Sequence, residues 1–150
     1  MINMYDCSRT AKEKADSAKN FPINKTPMTD VRNAVQLLSD TCFKASEEAK
    51  WWHDIDTGER LDRNKGEMMT LIHSEISEAY EGVRKNAMDD HLPHRKAEEV
   101  EMADALIRIF DYCGGHDLDV AGALVEKMAY NKQRQDHKVE NRRKDGGKKT

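Results

Sequence analysis

A helix that turns a carboxylate toward its own apolar side needs something in the rest of the chain to neutralise that charge. The stretch Leu71-Ile72-His73-Ser74-Glu75-Ile76-Ser77-Glu78-Ala79-Tyr80 sets this constraint. It reads as the middle of a helix running from about Lys65 to Lys85. At about 100° per residue, Met68, Ala79, Ile72, Val83, Ile76, Met69 and Tyr80 fall on one continuous arc, with Leu71 at its edge. Glu75 lies between Leu71 and Met68, inside the arc, and Glu78 lies just beyond Leu71. A carboxylate facing a core is costly unless it is paired, protonated or bound to a metal.

A second helix supplies partner acids. Val100, Ala103, Leu106, Ile107, Ile109 and Phe110 form a broad apolar arc, with Asp104 beside Val100 and Glu101 one step further round. Residues three apart on a helix are surface neighbours, so Glu75 with Glu78, and Glu101 with Asp104, make two carboxylate pairs. Antiparallel packing of the two helices would bring the four acids together. They could not all stay ionised without cations, and an all-oxygen donor set suits Mg2+, with Mn2+ as the alternative.

The remaining chain narrows the class. Its 150 residues suffice for one domain with a core. Charged residues make up 35% and aromatics 6%, with a formal net charge of -3, which favours helices with solvated faces and gives no general case for nucleic acid as a partner. Cys7, Cys42 and Cys113 are widely spaced without a CxxC pattern, and are expected to be reduced thiols in a cytoplasmic protein. No apolar run approaches membrane-spanning length, so no membrane association is expected, and no signal-peptide core is recognised near the N-terminus.

Residues 1–27 read as a polar N-terminal arm, with a thin-faced charged helix over Ser8 to Lys19 and Phe21 and Ile23 as candidate docking points. A helical domain is expected over 28–137. Thr29 or Asp30 would cap its first helix, which carries Val31, Ala34, Val35, Leu38, Cys42 and Ala45 at helical spacing and ends near Lys50. Trp51, Trp52 and His53 follow; adjacent tryptophans at a helix end are either core plugs or a flat wall for a planar ligand. Asp54 to Asn64 is a loop whose Asp54-x-Asp56 lacks the glycine and glutamate positions of an EF-hand. His91 and His94 fall on a polar loop and read as surface histidines. A third helix runs from about Arg95 to Cys113, with Gly114-Gly115 as its stop. Asp117 or Asp119 caps a fourth, which presents Val120, Ala123, Leu124, Lys127, Met128 and Asn131 on one side and fades by His137. Residues 138–150 read as a basic flexible tail, and Gly147-Lys148-Lys149-Thr150 lacks the upstream glycine of a P-loop. The expected architecture is all-α, a four-helix bundle or one shared by a dimer.

Glu75-x-x-Glu78, followed after a spacer by Glu101-x-x-Asp104 and then by Lys127-x-x-x-Asn131-x-x-Arg134, resembles the signature of the MazG-like all-α nucleoside triphosphate pyrophosphohydrolases. The similarity runs from about Thr29 to Arg134. One position departs: the first of the family's two adjacent glutamates is Ser74 here. The resemblance implies Mg2+-dependent conversion of an NTP or dNTP and water to the monophosphate and pyrophosphate. It implies metal-ligating and catalytic roles for Glu75, Glu78, Glu101 and Asp104. One of these, or Glu98, would orient the attacking water. Lys127, Asn131 and Arg134 would hold phosphate oxygens, with Lys132 on a different face. Trp51, Trp52 and His53 are the base-binding candidates, while Tyr80 and Tyr112 read as packing residues. A homodimer or homotetramer is the expected assembly.

The same acids also fit a non-catalytic helical bundle, with Arg108 pairing to Asp104 four residues earlier. A helical interaction protein, antitoxin-like or nucleic-acid associated through its basic tail, is a further alternative. A di-iron bundle is disfavoured because Glu-x-x-His pairs are absent.

Overall fold

A computed structural model describes residues 27–148. Cys7, Phe21, Ile23 and the expected charged helix of the N-terminal arm lie outside the described residues. The described residues are all-helical: α1 Met28–Glu48, α2 Lys65–Lys85, α3 Ala97–Gly115, α4 Val120–Gln133, a 3-10 turn Gln135–His137 and a short α5 Val139–Arg142. Extended pairing among them is confined to the isolated bridges His53–Arg60 and Met88–Lys96. No helix among them is long and apolar enough to cross a membrane.

Local chemistry sets the helix ends. The side chain of Asn64 accepts the Glu67 N–H at 3.1 Å, and Asn86 closes α2 in the left-handed region at φ 49. Arg84 and Lys85 complement the helix dipole in its last turn. At α1 neither Thr29 nor Asp30 is the cap. Pro27 occupies that position without a side-chain hydrogen bond, and Asp30 sits in the first turn, where its charge still faces the dipole. Of the two candidate caps of α4, Asp119 is used; its carboxylate accepts the Gly122 N–H at 2.8 Å.

α3 starts at Ala97 rather than Arg95, because Met88 bridges to Lys96 and the Asp89 N–H donates to the Arg95 carbonyl, holding both residues in the loop. At its other end Gly114 and Gly115 belong to the helix instead of stopping it. Their bareness serves packing. A Cβ on Gly114 would meet the Phe43 ring, and one on Gly115 would fall on the Trp52 indole.

That close approach organises the core. Trp52 is 1% exposed and packs with Met68, Tyr112 and Cys113, and Phe43, Ile72, Ile109 and Val120 gather around them. Its ring meets Phe43 edge-on at 5.9 Å, and its Nε1 donates to Asp111 Oδ1 at 2.8 Å, satisfying a buried donor and a buried carboxylate together. Arg60 ties the Asp54–Asn64 loop down: it lies over the Phe43 and Trp52 rings and donates to Glu47 and to the Gly115 carbonyl. Cys42 and Cys113 are free thiols, and burial pushes both above the ordinary thiol range.

Extensive packing runs in series. α3 packs against both α2 and α1, and α4 packs against α1, with Val120 at its start reaching the core. Only part of the apolar arc of α2 is therefore covered. Met68 and Ala79 are buried with Glu75, whereas Met69, Ile76, Tyr80 and Val83 are exposed, as are Met102 and Leu106 on α3.

Candidate metal centre

The packing of α2 along α3 brings three of the four sequence-selected acids together. One carboxylate oxygen each from Glu75, Glu78 and Glu101 lies within 4.8 Å of the others, a spacing that one cation could bridge. Glu75 is buried, Glu101 half-buried and Glu78 exposed, so the cluster opens from the interior to the surface. Asp104 is not part of the trio, but it lines the same cleft of about 500 Å³. That cleft also includes Asp89, whose Oδ1 accepts the backbone N–H groups of His91 and Leu92 and so orders the loop between α2 and α3.

Arg108 is paired differently from the sequence expectation. Among the described residues its ion pair is with Glu75 on α2, Nε to Oε1 at 2.6 Å, and not with Asp104 on its own helix. The buried carboxylate thus has a cationic partner. The remaining acids crowd one another. Burial pushes the Glu101 carboxyl above the ordinary range, reinforced by the charge of Glu78, a hydrogen bond with Glu75 and the charges of Glu75 and Asp104. A hard divalent cation, which offsets carboxylate repulsion and accepts oxygen donors alone, fits this set.

A pH dependence follows with a definite sign. The folded state favours protonated Glu101, so its contribution to stability is fully present below the unfolded carboxylate value and is lost as pH rises through the higher folded value. In chelator, the melting temperature of Glu101→Gln is expected to exceed that of the native chain by a margin that widens from about pH 4 toward neutrality. A margin independent of pH would contradict it. Glu81 works in the opposite sense: Arg84 and Lys85 hold it down at about 2, so its contribution is lost as pH falls.

A second cleft adjoins the first. It measures about 460 Å³, shares Asp104 and Arg108 with the acid cleft, and is walled by Trp51, Ser46, Arg63, Leu71 and Ile107. Trp51 is 66% exposed there, whereas Trp52 is the core plug described above. His53 lies outside the lining of this cleft. Its backbone bridges to Arg60 and its Nε2 sits 3.8 Å from Glu47. Of the three base-binding candidates, one therefore faces the space beside the acids.

The phosphate-binding candidates line neither cleft. Lys127 and Asn131 lie on α4 and Arg134 just past its end, and the extensive packing of α4 is with α1. Lys127 lies over the Tyr130 ring, with Nζ 4.8 Å from its centroid. Asn131 has a buried Oδ1 without a hydrogen-bond partner among the described residues. Arg134, just past the end of α4, donates to Asp136 through Nε at 2.9 Å.

The sequence pattern missed two features. The cross-helix role of Arg108 was masked by its equally suitable spacing from Asp104. Arg63, a cleft-lining residue in the loop before α2, carries no periodic signal at all. No protein-family model, no curated protein and no solved structure matches this chain.

Proposed function

We propose that the chain is an Mg2+-dependent nucleoside triphosphate pyrophosphohydrolase, converting an NTP or dNTP and water to the monophosphate and pyrophosphate. The observation that carries the proposal is the trio Glu75, Glu78 and Glu101, gathered from two helices beside an aromatic-walled cleft. These three would hold Mg2+ or Mn2+, with Asp104 at the cleft margin as the further acid. The bound cation supplies electrophilic stabilisation of phosphoryl oxygens and a lowered pKa for bound water. The chain's own residues do the remainder. One of these four acids, or Glu98 on the same helix as Glu101, would orient the attacking water. Trp51 offers an exposed indole face against which a base can stack.

The test is pyrophosphate release from a panel of NTPs and dNTPs, in Mg2+ and in EDTA. Metal-dependent release from at least one nucleotide is expected. Its absence from folded, Mg2+-supplied protein throughout the panel would sink the proposal in favour of the interaction protein with a basic tail.

The same proposal includes a four-helix bundle of the MazG-like type, completed by a second copy in a homodimer or homotetramer. The exposed stripe Met69, Ile76, Tyr80 and Val83 supports it, since apolar residues in register along one helix are usually covered. Lys127, Asn131 and Arg134 line neither cleft of their own chain, and α4 of a second copy would bring them to phosphate. Light scattering should give at least twice the monomer mass, and Ile76→Glu with Tyr80→Glu should shift it to the monomer. A native chain that runs as a monodisperse monomer would overturn this part.

A further inference from the structure

We infer that Arg108 is the resident counter-ion of the acid cluster, displaced from Glu75 when a cation binds and thereby released to an anionic ligand in the neighbouring cleft; this rests on the metal-centre reading above. The pair is asymmetric. The Glu75 side chain is 8% exposed and fixed in the interior, while that of Arg108 is 44% exposed. Contact is through Nε, and among the described residues no other hydrogen bond from this guanidinium is seen. Its remaining donors stay available, and an arginine cannot relieve competition by losing its proton.

Glu75 therefore has two claimants. It is one of the three carboxylates close enough to share a cation, and it is also the partner of Arg108. Two positive charges on one buried carboxylate repel each other, so the arginine must weaken cation binding. Among the described residues neither Glu78 nor Glu101 is held by an ion pair of this kind, which makes Glu75 the point of conflict. Arg108 also stands on the wall common to the acid cleft and the Trp51 cleft. Freed from Glu75, it presents a planar cation matched to two phosphate oxygens. Cation and phosphate then favour each other's binding, by the same factor in both directions.

Calorimetric titration of the full chain with Mn2+ tests the competition. Arg108→Met should bind Mn2+ about tenfold more tightly than the native chain, and Arg108→Lys should fall between them. In chelator Arg108→Met should melt lower, and adding Glu75→Gln should recover most of that loss. With Mn2+ saturating, inorganic phosphate should bind the native chain more tightly than Arg108→Met. If Arg108→Met and Arg108→Lys bind Mn2+ no more tightly than the native chain, the metal centre stands and the counter-ion role is overturned. If phosphate affinity is the same with and without Arg108, the release is overturned. If no form binds Mn2+, the metal centre itself fails and takes this inference with it.

Discussion

Glu101→Gln should cut Mg2+-dependent pyrophosphate release by at least about 100-fold while the helical signal of the chain is preserved. The substitution is nearly isosteric, so helix α3 and its packing are retained. What changes is one of the three oxygens that converge within 4.8 Å. An amide oxygen is a neutral and weaker donor to a hard cation than a carboxylate. The decisive control is Glu81→Gln. Glu81 lies on the same helix as Glu75 and Glu78 but is turned outward, paired with Arg84 and Lys85. Losing it should leave turnover within about twofold and stability nearly unchanged, as expected of an exposed ion pair. A Glu101→Gln protein with native activity would remove the acid cluster from the chemistry. Equal loss in both variants would point to a general electrostatic effect.

Trp52→Ala should cost about 3–5 kcal/mol, measured by urea denaturation. Domains of this kind have about 5–15 kcal/mol in total, so a substantial unfolded fraction is expected. The cost has two sources. The indole is the largest side chain in the core, and its removal opens a space lined by Phe43, Met68, Tyr112 and the bare backbone at Gly115. It also takes the hydrogen-bond donor from Asp111, leaving a buried carboxylate without that partner. Trp52→Phe separates the terms by restoring much of the apolar volume without the N–H. The same change one residue earlier should behave differently. Trp51→Ala is expected to leave the urea midpoint nearly unmoved and to raise KM for nucleotide. Equal destabilisation by both alanine variants would contradict the division of the pair into a core residue and a cleft residue.

That division explains how far the chain could be read from its residues. Composition and position treat Trp51 and Trp52 alike, and only the approach of α3 at Gly115 decides which of them is enclosed. The glycine pair itself reads as a helix stop, because a glycine needed for a distant ring to approach looks like one needed for a turn. Helix α2 was legible to both ends, since Asn64 and Asn86 act on their immediate neighbours. The acids were legible as well, because helical periodicity places Glu75 on the inward arc, and Glu75, Glu78 and Glu101 do converge. Cross-helix choices were not. Arg108 had two suitable carboxylates, and the selection of Glu75 depends on how α2 and α3 lie against each other. Placing α4 against α1 is likewise a tertiary decision, and it separates Lys127, Asn131 and Arg134 from both clefts of their own chain.

The two adjacent tryptophans are the only ones in the chain, and their surroundings could hardly differ more. Excited at the red edge of indole absorption, the protein should emit as two populations. Trp52, enclosed and hydrogen-bonded, is shielded from acrylamide, while Trp51 is open to it. Folding can then be followed in the shielded emission and ligand entry in the quenchable one, from a single unlabelled sample.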